Sequence, residues 1–313
     1  MNCPVCCSLP IVIGVQYDDR YGYHGVFPLL KCQSCGHIFL KGEFSPEVLR
    51  DLYSNYYPRS KFDLESYQSY QEASGFHAWL DGEKSSPFRW VPRDIRVLDI
   101  GCGFGETLGY HQERGCNVYG VEADENIRRV AERFGYKVHV GLFDPNVYEA
   151  GFFDFVTMSQ VIEHVTDPVK TLCGIARVLK PGGVAILSTP NASGWGARLF
   201  GQRWINWHAP YHLQFFTLRS MQLTAEQAGL VVEKTTTITP SAWLHYQWIH
   251  LFSCPPEGKS SVFWTHGGEW SFMQKVALTL ISITSRYKIN HTVTRIFDAM
   301  DMGDNRIYFL RKP

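Results

Sequence analysis

From residue 95 onward the chain alternates two apolar spacings. Short runs with every position, or every second position, apolar predict strands near 95–100, 117–122, 137–140, 153–158 and 183–189. Between and after them, three- and four-residue spacing predicts helices near 105–114, 125–134, 168–179 and 218–228. Val231–Ile238 reads as a sixth strand and Asn305–Arg311 as a seventh, so 241–303 becomes an insertion between them. The pattern is that of an α/β core.

Before residue 95 the signals are shorter. Alternating Ile11, Ile13 and Val15, and later Ile38 and Leu40, suit two short strands. Ser45-Pro46-Glu47 supplies an N-cap, a proline at the first helical position and an acid in the first turn, which predicts a helix through Leu49, Leu52 and Tyr53. Residues 59–92 read as a polar, aromatic-dotted helical stretch ending in a Ser85-Ser86-Pro87 linker. The insertion is rich in aromatic and histidine side chains, among them Trp243, Tyr246, Trp248, Phe252, Phe263, Trp264 and Trp270. Its run Phe272–Ile281 has helical spacing with one apolar face, which fits a cap over the core, a substrate lid or a peripheral membrane contact. The chain then divides into 1–44, a helical cap and linker over 45–92, a core over 93–240, the insertion over 241–303 and a last core strand over 304–313.

Composition narrows the function. With 313 residues, 45% apolar and 19% charged, the chain is long enough for a full core and accessory pieces. Thirty basic residues balance thirty acidic ones, so no uniform field collects nucleic acid, and a small-molecule acceptor is expected instead. No export signal or bilayer-spanning run is evident, which predicts a cytoplasmic protein. Oligomeric state is not legible.

Nine cysteines in such a chain point to thiols and metal ligation. Cys3-Pro4-Val5-Cys6 and Cys32-Gln33-Ser34-Cys35 are two C-x-x-C pairs, each able to present two thiolates from one turn. Together Cys3, Cys6, Cys32 and Cys35 supply four soft ligands for a tetrahedral, structural zinc, and the flanking strands suit a zinc ribbon. Cys7 and His37 stand beside the ligands. A redox dithiol or ordinary buried cysteines are the alternatives.

The most informative stretch is Val97-Leu98-Asp99-Ile100-Gly101-Cys102-Gly103-Phe104-Gly105: an apolar strand, an acid, three alternate glycines and a helix start. Glycines there let a ligand lie against the backbone, and the helix start favours a negative group. A second strand ends in Glu122, near the ~20-residue distance at which an acid reaches ribose hydroxyls in such folds. Phe153–Met158, Ile162-Glu163-His164-Val165-Thr166-Asp167-Pro168 and Val178-Leu179-Lys180-Pro181-Gly182-Gly183 follow in order. This series resembles class I S-adenosylmethionine (SAM)-dependent methyltransferases. The resemblance implies a Rossmann-like seven-stranded sheet with an antiparallel last strand, here joined to the small N-terminal zinc ribbon and the helical insertion. Methyltransferases with such a ribbon are similar to those among sugar- and polysaccharide-modifying enzymes.

Carried onto this chain, the resemblance places Asp99 at the methionine amino group and the backbone of Gly101, Cys102, Gly103 and Phe104 around the methionine end. It places Glu122 on the ribose hydroxyls, Leu142 and Phe143 beside the adenine, and Ser159 and Gln160 near the methyl. Tyr56 and Tyr57 are candidates to roof the cofactor or to pack against the next domain. An oxygen nucleophile also needs a proton acceptor. Glu163, His164, His208 and His212 are the candidates. Gln160-Val161-Ile162-Glu163-His164 is similar to an E-x-x-E-H pattern of ubiquinone-biosynthesis O-methyltransferases associated with a divalent cation. With Gln160 in place of the first acid, an active-site cation is not expected. The expected activity is methyl transfer from SAM to a sugar, nucleotide-sugar or glycan hydroxyl. The alternatives are C-methylation of a nucleotide sugar, quinone or lipid O-methylation, and an inactive SAM-binding docking protein.

Overall fold

In the computed structural model, which describes residues 2–58, 63–265 and 269–313, the strands fall into two sheets. Strands β1 (Pro10–Tyr17), β2 (Val26–Cys32) and β3 (Ile38–Leu40) form an antiparallel meander growing from the cysteine turns. β2 is additional to the two strands that the apolar alternation predicts. Helix α1 (Pro46–Asp51) starts on Pro46 and is capped by Ser45, whose hydroxyl accepts from the Val48 N–H. The next turn, Leu52–Tyr56, widens to π-helical bonding.

The expected helical stretch over 59–92 is only partly helical. Residues 59–62 lie outside the described residues, and of the rest the longest helix is α2 (Gly75–Asp81). Residues 67–74 are irregular because they are fastened across the core: the Tyr67 hydroxyl donates to the Gly105 carbonyl at 2.8 Å, and the Tyr70 N–H donates to the Glu106 carbonyl at 3.1 Å.

The core begins with β4 (Arg96–Ile100), α3 (Glu106–Glu113), β5 (Asn117–Glu122), α4 (Ile127–Phe134) and β6 (Lys137–Val140). It continues through β7 (Phe153–Ser159), α5 (Pro168–Val178), β8 (Leu179–Pro190) and α6 (Trp195–Phe200). Then come β9 (Gln214–Phe215), α7 (Leu218–Gln227) and β10 (Val231–Thr237). The insertion holds α8 (Ala242–Ser253), α9 (Phe272–Arg286) and α10 (Ile289–Ala299), and β11 (Asn305–Arg311) closes the chain. α8 escapes the sequence pattern because aromatic and aliphatic side chains occur all round it, leaving no polar face to set a period.

The main sheet has the order β10-β11-β8-β7-β4-β5-β6, with β11 antiparallel between β8 and β10. This is the expected seven-stranded sheet with an antiparallel last strand. Alternation along β4 divides its side chains between two layers: Leu98 and Ile100 join Leu172, Ile175, Met221 and Ala225, while Val97 joins Leu108, Ile127 and Val130. Each such fully buried aliphatic side chain contributes roughly 1.5–3 kcal/mol, so the sheet is held from both faces.

After β8 the chain leaves the core and β9 pairs with β3, setting Ile38 opposite Phe215 and Phe39 opposite Gln214. Trp204, Trp207 and Phe215 share a buried cluster with Leu29, Ile38 and Leu40. The N-terminal meander is therefore joined to the core by both backbone pairing and a common apolar interior.

Candidate functional site

Strand β4 pairs with β5 on one side and β7 on the other, and the strand order reverses between them. Crossover connections diverge there and open a crevice at the carboxyl ends of the strands. Asp99, Gly101, Cys102, Gly103 and Phe104 lie at the end of β4, and Ser159 and Gln160 at the end of β7.

Gly101, Gly103 and Gly105 all have positive φ, at 77°, 57° and 86°. Gly101 has a second reason to be glycine, since a Cβ there would meet the Val161 side chain at 2.5 Å. Gly101 and Gly103 are exposed while Cys102 and Gly105 are buried, so the loop offers bare backbone to the crevice. Asp99 is buried; Thr157 donates to one carboxylate oxygen at 2.7 Å and Thr107 to the other. Burial outweighs these bonds and lifts the carboxyl to about 6. Neither threonine stood out in the sequence, although Thr157 sits opposite Asp99 in the β4–β7 register.

Glu122 spans the loop. One carboxylate oxygen accepts from the Gly103 N–H and the other from the Asp124 N–H, each at 2.9 Å. Leu142 is 81% exposed beyond β6 and is free to cover a ligand. Phe143, next to it, is half-buried and packs against the core layer of α5, close to Gly174. Gln160, at φ 53°, donates to the Ser188 hydroxyl at 3.0 Å and to the Asn305 side-chain oxygen at 2.9 Å. It thus ties β7 to β8 and β11.

The four proton-acceptor candidates come from two distant segments and meet. His164 and His212 have ring centroids 4.7 Å apart, and His212 and His208 4.9 Å. Buried Glu163 accepts from the Thr189 hydroxyl at 2.9 Å through one oxygen, while the other has no hydrogen-bond partner among the described residues. Burial pushes its carboxyl up to about 8. Burial also lowers all three histidines, His164 to about 4 and the others well below 6.5, with Arg20 adding to the effect on His208 and His212. The cause is loss of solvent for the charged ring.

The N-terminal segment covers this cluster. Tyr21, in the loop after β1, lies 5.2 Å from Tyr57, 5.4 Å from Tyr211 and 5.7 Å from His208 between ring centroids. Asp18 shapes that loop by accepting from the N–H groups of Arg20, Tyr21 and Tyr23, each at 2.9 Å. Tyr53 reaches His164 Nδ1 at 3.0 Å. Tyr57 lies 6.3 Å from His208 between ring centroids, and Tyr56 packs on Tyr23 at 5.0 Å. The sequence clue for Tyr21 was the dense Asp18-Asp19-Arg20-Tyr21-Gly22-Tyr23 run.

Glu163, His164 and His212 bring ligand atoms within 4.8 Å of one another without Gln160, because His212 arrives from the loop after β8.

Cys3, Cys6, Cys32 and Cys35 also place their sulfurs within 4.8 Å of one another, with Cys3–Cys35 at 3.6 Å and Cys6–Cys32 at 3.3 Å. The Cys6 thiol lies low, at about 6, and burial raises Cys3 to about 11. Cys7 is exposed. His37 bonds Gln214 at 2.8 Å, and Gln214 donates to the Val165 carbonyl at 3.1 Å, so the cysteine turns connect to the residue after His164. A third trio, Asp19, His250 and Cys254, clamps the insertion to the loop after β1, with Asp19 3.1 Å from His250.

The family model described as "Methyltransferase domain" matches residues 67–235, more than half of the chain. The chain is 33% identical over 136 residues to the ubiquinone biosynthesis O-methyltransferase of Aromatoleum aromaticum, covering 37% of this chain and 58% of that one. It is 31% identical over 169 residues to that of Thiobacillus denitrificans, covering 48% and 73%. The match to the first of these spans less than two thirds of that relative's length. A SAM dependent methyltransferase of Archaeoglobus fulgidus shares 19% identity over 72% of this chain and 89% of that one, at a TM-score of 0.44.

Proposed function

The chain belongs to the methyltransferase-domain family, and we propose that it is a SAM-dependent methyltransferase acting on a hydroxyl of a small, polar acceptor, most simply a sugar, nucleotide sugar or glycan. In SAM the methyl already sits on a sulfonium, so the protein must align donor and nucleophile and take up a proton. The glycine loop and Asp99 would receive the methionine end, and Glu122 the ribose.

The observation that carries this reading is the convergence of His208 and His212 with Glu163 and His164, next in the chain to Ser159 and Gln160. His212 Nδ1 lies 2.8 Å from the Asn206 carbonyl, to which it donates. The lone pair then rests on Nε2, and the burial that disfavours the charged ring keeps it neutral, so His212 is the base in this proposal. Buried polar atoms without a hydrogen-bond partner nearby, at His208 Nε2, Tyr211 OH, Glu163 Oε1 and Asn206 Nδ2, suit an acceptor bearing several hydroxyls.

A second acceptor class, a quinone or phenol precursor, is favoured by the names of the relatives. If a cation is used, Glu163, His164 and His212 would hold it and lower the acidity barrier of the hydroxyl. The cysteine cluster fits a structural zinc, since four buried or half-buried sulfurs at these separations match a tetrahedral thiolate shell. A transfer assay with SAM over sugars, nucleotide sugars and polyphenols tests the proposal: turnover on hydroxylated sugars supports it, and turnover confined to phenols replaces it with the second reading.

A further inference from the structure

The insertion carries an apolar face that the other described residues leave uncovered. In α9 only Ile281 is buried. Phe272 is 78% exposed, Met273 72%, Leu280 61% and Tyr287, just beyond the helix, 69%; Val276 and Ile283 are also exposed. At 3.6 residues per turn these six positions fall within about 100° of arc, so they form one stripe rather than scattered contacts. The helix exists in its own right: Ser271 and Gln274 form a reciprocal capping box at its start.

We propose that α9 docks the protein on an anionic lipid surface, lying in the plane of the interface. Three features select that occupant. First, Lys275 and Arg286 flank the stripe and the helix has no carboxylate, which matches a negatively charged bilayer face. Second, Tyr287 at one end and Trp270 at the other are amphipathic aromatics suited to the headgroup level. Third, the helix is about 22 Å long and no described helix is long and apolar enough to cross a membrane, so the face can lie on a bilayer but not span it. Neighbouring elements extend the exposed apolar surface, with Phe252 on α8, Ile289 and Ile296 on α10, and Phe76 and Trp79 on α2, which packs on α10. Lys288 adds little charge, since Asp81 pairs with it at 2.8 Å.

The insertion is also connected to the histidine loop. Gln247 of α8 accepts from the Ile205 N–H at 2.8 Å and donates to the Arg203 carbonyl at 2.9 Å. A surface-bound protein would thereby present that loop at a fixed height above the lipid.

The test uses the full chain and flotation with vesicles of phosphatidylcholine containing phosphatidylglycerol, alongside pure phosphatidylcholine vesicles and a salt series. The expected result is co-flotation with the anionic vesicles, weakened about tenfold or more in Leu280→Glu/Ile283→Glu and weakened by salt. Both positions are exposed, and unchanged SAM affinity of the variant, read by calorimetry, establishes that it remains folded. No flotation of the native chain at low salt, or equal flotation of the variant, overturns the proposal. So does a native dimer in light scattering that the double variant dissolves without any vesicle binding, which assigns the stripe to a second copy. None of these outcomes depends on the acceptor, so the lipid proposal stands or falls separately from the methyl-transfer reading.

Discussion

Tyr21, from the cysteine-bearing N-terminal segment, meets His208 of the loop after β8 edge-on, with ring centroids 5.7 Å apart. An element expected only to hold a zinc ion thus forms part of the wall around the proposed base. Tyr21→Ala should raise the acceptor KM roughly tenfold, the worth of one or two aromatic contacts, while SAM affinity stays constant. Tyr21→Phe should behave as the native chain. Equal loss of SAM affinity in calorimetry would mean that Tyr21 supports the whole core instead.

Glu122 receives the N–H groups of Gly103 and Asp124 on its two oxygens. Glu122→Gln converts one acceptor into a donor facing an N–H, and it removes the charge proposed for the ribose. Charged hydrogen bonds are worth about 1.5–3 kcal/mol, so SAM should bind roughly ten- to a hundredfold more weakly. Calorimetry should show the same loss for the demethylated product, because both share the ribose. A loss for SAM alone would place Glu122 at the methyl.

Glu163 makes stability depend on pH in a definite direction. Its carboxyl is raised to about 8 in the fold by burial, against an ordinary 4.5, so the folded chain holds the proton more tightly than the unfolded one. The contribution is complete below about 4.5 and is lost as pH rises through about 8. Glu163→Gln should therefore flatten this part of the profile: denaturant midpoints of the native chain should fall relative to the variant between pH 5 and pH 8.5. Parallel profiles would show that Glu163 is ionised in the fold.

Much of this was legible because local chemistry and fold agree. The glycines at 101, 103 and 105 need left-handed backbone, and strand alternation needs two buried faces, so both leave marks in sequence. What stayed hidden depends on contacts between remote segments. Pairing of Ile38 with Phe215 joins β3 to the two-residue β9, whose stability comes from its partner and which no periodicity announces. The packing of Phe143 beside Gly174 of α5 was equally invisible, because position after β6 does not fix which way a side chain turns. The possible donor set of Glu163, His164 and His212 was missed since His212 lies 48 residues beyond His164 in sequence.

The cysteine cluster should hold one zinc per chain by elemental analysis, and Cys32→Ser should lose it. Structural zinc contributes directly to folding, so Tm should drop by roughly 5 °C or more. Methyl transfer should decline as well, because β3 carries β9, and the neighbouring Leu213 N–H donates to the Glu163 carbonyl at 2.7 Å. Full metal loss with unaltered Tm and turnover would reduce the cluster to ordinary buried thiols.

The sharpest division lies between His208 and His212. His212 donates Nδ1–H to the Asn206 carbonyl, which fixes its tautomer and leaves Nε2 able to take a proton. His208 sits in left-handed backbone at φ 35°, and its Nε2 is buried without a hydrogen-bond partner among the described residues. If His212 is the base, His212→Ala should lower kcat about 10²–10⁴-fold at unchanged SAM affinity. His208→Ala should act mainly on the acceptor KM. Burial, the neighbouring His164 and Arg20 all hold His212 below 6.5, so the neutral, active form persists at neutral pH and the rate should fall only on the acid side of 6.5. Arg20→Gln, by removing one of those charges, should move that acid limb to higher pH. Turnover in His212→Ala within about threefold of native would exclude the imidazole as base and leave Glu163, deprotonated only above about 8, as the remaining candidate with an alkaline-shifted profile.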